Sequence, residues 1–326
     1  MRAALLALVI MIGGTEPATA NDASLTALPN GGLSFEKTDK VQMKAETLKL
    51  SLDKVEVNYV FRNITGADAK MIIGFPLPET QPREAKAGEK QFTLPHDEDF
   101  NVWVDGKKLI PRRLIRVFLK YPEEKDITAD FLALGLDPEK GEYGDETTKQ
   151  KLAAMGGICS DDFYDLQDIP CWHYQKIYSW EQTFPAGKDV RVKHEYRPWV
   201  GGYAGITTGH PESCLEQQFQ MKLQNMMIRD MEARDGVRHE EVDLKYVLRT
   251  GANWAGPIGK FTLEIDRGDA ALISYCAIPG LKLTRTGNKF VGSLNDFTPM
   301  ADLDIYFAGE SLWSRYVGPD PITTPH

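Results

Sequence analysis

The chain has 326 residues, 26% of them charged, with 38 Lys and Arg against 47 Asp and Glu and a formal net charge of −9. A surface of this sign does not neutralise phosphates, so a nucleic-acid partner is not expected. The length suffices for one large domain or two of ordinary size, and the charges are spread without long like-sign blocks.

The chain opens with Arg2, an apolar run from Ala3 to Ile12, two glycines and then Ala18-Thr19-Ala20 ahead of Asn21. That succession is a secretory signal peptide over residues 1–20, with cleavage expected after Ala20. Roughly ten apolar residues are too few to cross about 30 Å of hydrocarbon. No second long apolar run follows, and residues 318–326 are polar and Pro-rich. A soluble periplasmic protein without a transmembrane span is the expectation.

Residues 21–122 read as an N-terminal β region. Val55, Val57, Tyr59 and Phe61 alternate with Glu56, Asn58 and Arg62, the period of a half-buried strand. Asn63-Ile-Thr-Gly66 turns the chain, and Ala67 to Phe75 returns, which predicts a hairpin. Phe100 to Val104 ends on Asp105-Gly106, a tight-turn signal, and a strand is expected over Leu109 to Leu119. Residues 123–170 lose the alternation and carry two short helical stretches, 127–134 and 146–155, so they read as a helical insertion. Residues 171–326 form a C-terminal β region. Lys176 to Phe184, the Pro185-Ala-Gly-Lys188 turn and Val190 to Tyr196 predict a second hairpin. The Gly-rich stretch 201–209 lacks a phosphate-cradling Lys. One amphipathic helix is expected over 211–235, built on Leu215, Phe219, Leu223, Met226, Met227 and Met231. Strands over 242–248, 261–265, 272–276, 289–294 and 303–307 follow. The economical architecture is mostly β, an antiparallel β-sandwich with a helical insertion and one longer helix.

Cys159, Cys171, Cys214 and Cys276 are an even set in a chain bound for an oxidising compartment, which predicts two disulfides. Of three pairings, Cys159 with Cys171 closes a short irregular loop and leaves Cys214 with Cys276 to tie helix to strand. A structural zinc site is the competitor, but there is no C-x-x-C spacing.

No nucleophile elbow, zinc-protease, P-loop or dinucleotide motif is present, and no cofactor or metal is expected. His194 stands beside Glu195, yet it shares a strand face with Val190, Val192 and Tyr196, which suits a core histidine better than a general base. Glu181 interrupts an aromatic strand, Tyr178, Trp180 and Phe184, and is expected to pair with Arg191 or Lys193 across the hairpin. Asn253 and Trp254, held between Gly251 and Gly256-Pro257, form a candidate stacking platform on a loop; the alternative is a Trp that plugs the end of the sandwich. Cys171-Trp-His173 leaves one metal ligand once Cys171 is oxidised. The helical methionines, including Met221 and Met231, suit core filling better than a copper site.

Asn21-Asp-Ala-Ser24, Gly31 to Phe35, Val57 to Asn63 with Phe75-Pro-Leu-Pro78, Trp180 to Gly187 with His194-Glu-Tyr196, Thr250 to Pro257 and Asp296-Phe-Thr-Pro299 together resemble the bacterial domain-of-unknown-function family 4424. The resemblance implies exported, β-rich envelope proteins with no agreed activity and no catalytic residues to carry over. It also makes Cys214 and Cys276 the more typical cysteines of the four. Two functions are weighed. The first is a non-enzymatic binding or assembly module acting on an envelope protein, a glycan or a small ligand. The second is a glycan-acting hydrolase or transferase using Glu181 with His194 or a carboxylate of Asp161-Asp162.

Overall fold

A computed structural model of the chain describes residues 23–27, 33–82, 99–120, 122–161, 166–202, 217–233 and 238–316. The expected signal peptide, Cys214, Asp162 and the tail 318–326 lie outside them. The protein is mostly β, and the described residues form four sheets.

The first sheet has six strands in the order β2 (Leu33–Glu36), β1 (Ala23–Ala27), β5 (Ala69–Pro76), β12 (Trp172–Phe184), β8 (Arg112–Leu119) and β9 (Lys125–Asp126). The second has eight, in the order β18 (Thr284–Thr286), β19 (Lys289–Phe297), β16 (Ile258–Asp266), β3 (Val41–Leu50), β4 (Val55–Asn63), β13 (Asp189–Tyr196), β6 (Asn101–Val104) and β7 (Lys107–Leu109). A third, of four strands, runs β14 (Val200–Gly202), β15 (His239–Tyr246), β20 (Leu303–Glu310) and β17 (Leu272–Tyr275). The fourth is the hairpin of β10 (Ile158–Asp161) and β11 (Leu166–Pro170).

The two expected long hairpins are corrected by this topology. β4 pairs with β3 and β13, while β5 pairs with β1 and β12, so residues 64–68 carry the chain from the second sheet to the first. β12 and β13 are likewise divided between the sheets, and the 185–188 turn carries the chain back. The two crossings are stapled together. Asn63, fully buried, donates through Nδ2 to the carbonyls of Ala67 at 2.9 Å and Phe184 at 2.7 Å, and its Oδ1 accepts from the Thr65 N–H and hydroxyl. The Ala186 N–H donates to Asp68 Oδ1 at 2.9 Å. Each strand can then turn its apolar face toward the opposite sheet, and Tyr59, Phe61, Ile73, Phe75, Tyr178, Phe184 and Val192 join one continuous core.

The strand expected over Leu109 to Leu119 is broken at Ile110-Pro111 into β7 and β8, which belong to different sheets. Pro lacks the N–H that a continuing ladder needs. The Asp105-Gly106 turn is as read: both residues have positive φ, 47° and 78°, and Val104 faces Lys107 across a two-residue hairpin. One pair, β16 with β3, is parallel, so the sheets are not wholly antiparallel. Its close approach needs Gly259, where a Cβ would lie 2.7 Å from the Lys44 carbonyl at the β3 bulge.

The insertion carries the helices α1 (Thr128–Ala133) and α2 (Glu146–Ala154), close to the expected stretches. Asp145 caps α2 through the Thr148 N–H at 2.8 Å. Both pack on one end of the first sheet as a separate small core of Val117, Ile127, Phe131, Leu152 and Trp172. Cys159 and Cys171 are disulfide-bonded with Cα atoms 5.6 Å apart, fastening the β10–β11 hairpin to the start of β12. Cys276 is also disulfide-bonded, and no described cysteine is free. The long helix α3 (Gln217–Ala233) covers part of the expected 211–235 and seats Phe219 and Leu223 on Ala308 of β20. Met221 and Met231 are exposed, 50% and 70%, and do not fill core. A last helix is α4 (Leu312–Tyr316). No helix among the described residues is long and apolar enough to cross a membrane.

Two stability outcomes follow from these fastenings. Asn63→Ala leaves buried carbonyls without donors and is expected to cost about 3 kcal/mol in urea unfolding. Opening the Cys159–Cys171 loop with a Cys171→Ser substitution removes a cross-link over 12 residues and is expected to cost about 3 kcal/mol by the chain-entropy estimate.

Candidate functional site

The β12–β13 crossing decides where the residues singled out in the sequence fall. Trp180 points into the core and Glu181, its neighbour on the strand, points out. Glu181 is 67% exposed and pairs with Lys70 Nζ at 2.8 Å. The expected partners Arg191 and Lys193 are on β13, in the other sheet, so that pairing is corrected; Lys70 lies on β5, the strand hydrogen-bonded to β12. The Lys70 hydrogen bond and charge hold the Glu181 carboxyl below its ordinary range.

His194 is fully buried. Rings surround it, among them Phe75 at 4.8 Å, Trp180 and Phe100 at 5.4 Å, and Tyr59 edge-on at 5.5 Å. It therefore sits at the centre of the interface between the sheets, and Glu181 is on the far side of its own strand from it. Glu181 and His194 do not form an acid–base pair.

Of the two readings of Trp254, an exposed platform and a plug, the structure has the plug. It is 4% exposed and packs on Phe61 at 4.4 Å and Phe184 at 6.1 Å, closing the same end of the core at which the chain crosses. Asn253 contributes its backbone: its carbonyl accepts from the Thr38 N–H at 2.8 Å, and the Ala255 N–H donates to Val41. Arg249, at the start of this turn, is held by Asp302 through Nη2 at 2.8 Å.

Charge is concentrated in two other places. On the outer face of the second sheet, Glu56 and Glu195 are register partners, bridged by Lys49, Lys54 and Lys193 at 2.7 to 3.6 Å. Burial raises the Glu56 pKa, but hydrogen bonds from Lys49 and Asn58 and the Lys49 charge outweigh it, bringing it from 4.5 to about 2. On the face of the third sheet under α3, Asp243 and Asp304 are both pushed up, chiefly by burial. Burial and the nearby Asp304, Asp243 and Glu241 push Tyr306 to about 12. Among the described residues no group of three or more His, Cys, Asp or Glu is placed to hold a metal ion.

An open cavity lies elsewhere, alongside β8. It encloses about 620 Å³ and is lined by Arg113 to Arg116 of the strand, Thr128 and Leu132 of α1, and Leu136 to Glu139. Its walls are fixed by ion pairs: Arg113 with Glu139, Lys176 with Glu139 at 2.5 Å, and Arg116 with Asp126 at 3.0 Å. Leu132 at its rim is 47% exposed and Ile110, at the head of the strand, 95%. The sequence reading passed over these residues. The available signal was Pro111 followed by Arg112, Arg113 and Arg116 in a strand, since proline and charge mark a sheet edge.

The fold and this groove define a mostly β protein whose concavity lies at the margin of a sheet, on a wall contributed by a helical insertion. The chain belongs to the family described as domain of unknown function DUF4424, whose model matches residues 20–306. It is similar to a Legionella pneumophila protein of known crystal structure described as a "putative nutrient binding protein", with 16% identity over 92% of this chain and 73% of that one and a TM-score of 0.46. No curated protein matches it.

The opposite pKa shifts give opposite pH signatures. Glu56 is depressed, so its contribution is present above about 4.5 and is lost as pH falls toward 2. Asp304 is raised, so ionising it costs stability, which is fully retained below about 3.9 and lost as pH climbs through the folded value. Urea unfolding at a series of pH values is expected to show Glu56→Gln less stable than the parent at pH 7 with the difference closing in acid. Asp304→Asn is expected to be more stable at pH 7, its advantage also closing in acid.

Proposed function

We propose that the protein is an exported, non-enzymatic binding or assembly module of the bacterial cell envelope, and that its ligand enters the groove beside β8. The observation that carries this is the open cavity of about 620 Å³, within the size range of ligand sites, whose lining combines apolar Ile115, Leu132 and Leu136 with the ion-paired Arg113, Arg116 and Glu139. The leader-like residues 1–20, the start of the family match at residue 20 and the Cys159–Cys171 disulfide support export to an oxidising compartment. We further propose that the first two sheets act as one sandwich-type scaffold, with residues 21–122 and 171–326 as its two halves and 123–170 as the insertion that builds the groove. Cys214 is proposed as the partner of Cys276. His194, Asn253 and Trp254 support the scaffold in this reading, and Glu181 remains a surface ion pair.

A thermal-shift screen of the purified protein against peptidoglycan fragments, envelope polysaccharides and peptides tests the reading. A groove ligand at a hundred times its Kd stabilises the folded state by about 2.7 kcal/mol. Leu132→Lys, at the exposed rim, is expected to abolish that shift while leaving the melting temperature of the free protein unchanged. No shift with any of these ligands would sink the proposal.

A further inference from the structure

We propose that the open edge of β8 takes up a segment of another polypeptide as an added strand, and that this segment is apolar with acidic residues at one end. The inference rests on the binding-module reading and names the occupant of its groove.

Successive residues of a strand send their N–H and C=O groups to opposite sides. The Val117 N–H donates to Thr128 Oγ1 at 2.9 Å and its carbonyl accepts from the Ile127 N–H at 2.9 Å, so Val117 faces away from β12. By the same alternation Ile115 faces away too. β9 pairs only with Phe118 and Leu119, after which the chain turns into α1 and withdraws from the strand. Among the described residues nothing pairs with the outward N–H and C=O of Ile115, and the groove lies directly against them. An unpaired edge of this kind is a template for another chain, and strand addition supplies main-chain hydrogen bonds that a glycan does not reproduce.

The chemistry of the occupant follows from what surrounds the edge. Ile115, Leu132 and Leu136 offer apolar contact at the middle of the groove. At the entry end the chain is basic: residues 107–116 contain Lys107, Lys108, Arg112, Arg113 and Arg116 and no acid, within a protein of net charge −9. Arg113 and Arg116 are paired, but Arg112 is exposed and has no acidic partner among the described residues. A carboxylate at that end of an incoming strand completes the charge pattern, and alternate apolar side chains fill the cavity.

The probe is a fluorescein-labelled synthetic peptide, Glu-Glu-Val-Thr-Val-Thr-Val, followed by fluorescence anisotropy against the purified protein. Two controls carry N-methyl groups on alternate amides, one set for each edge of the peptide, and a third replaces the Glu pair with Lys-Lys. The parent peptide is expected to bind, and one of the two N-methylated forms to bind at least about tenfold more weakly than the other. Arg112→Glu is expected to reverse the preference between the acidic and the lysine peptides, and Leu132→Lys to weaken both; each position is exposed, so unchanged melting temperatures check the fold. Equal binding of both N-methylated forms and the parent overturns strand addition, and equal binding of the Glu and Lys peptides overturns the charge assignment. No binding at about a millimolar peptide also overturns the inference. If a glycan fragment then still gives a thermal shift that Leu132→Lys abolishes, the binding-module reading survives without the peptide; if none does, both readings fall.

Discussion

Two crossings of the chain, at residues 64–68 and 185–188, set the relation between the two large sheets, and the rest of the structure depends on their being held side by side. Asn63 does the holding. It is fully buried, and its donor and acceptor atoms are both engaged across the two crossings, so the ends of β4, β5 and β12 are fixed at one point. The strands then face each other with their apolar sides inward, and the interface fills with aromatic rings around His194. Burial of large apolar side chains contributes roughly 1.5–3 kcal/mol each, but only if the two faces are brought into register. Trp254 closes the same end from a turn whose backbone is bonded to β3 and its approach.

The helical insertion has a different relation to the fold. It has its own small core against one end of the first sheet, and the disulfide and Trp172 tie it there, the Trp172 ring N–H donating to the Pro138 carbonyl at 2.9 Å. Because the insertion covers β8 only through β9 and the start of α1, part of the strand edge has no partner among the described residues. The groove is thus a consequence of how little of the edge the insertion covers, and ion pairs from β8 and β12 to Asp126 and Glu139 fix its walls. Electrostatics elsewhere serves the scaffold: the Glu56 network is neutralised by lysines on an outer face, and the acidic pair on the third sheet lies under α3.

Much of the secondary structure was legible because period-two burial is written directly into the residues. β4, β12, β13, the Asp105-Gly106 hairpin and both insertion helices lie close to where alternation, turn chemistry and helical spacing put them. The strand partners were not legible. A strand, a short turn and a second strand have the same pattern whether they pair as a hairpin or cross between sheets, since both arrangements alternate buried and exposed positions. That ambiguity carried over to the site. The alternation around Glu181 fits a partner on β13 as well as one on β5, and nothing in the residues of β8 states how far a neighbouring strand extends along it.

By itself the sequence determined a mostly β chain with two short helical stretches and membership of a family, and it favoured Cys159 with Cys171 among three pairings, the bond that the structure contains. These are decided by composition, by neighbours a few residues apart and by periodicity, all of which the linear order contains. The tertiary structure alone decided which strands pair, that Trp254 is inside and Glu181 outside, and that part of the β8 edge has no partner among the described residues. Those facts depend on contacts between residues a hundred or more positions apart, such as Asn63 with Phe184 at 2.7 Å, and a local pattern of burial carries no information about which distant surface provides it.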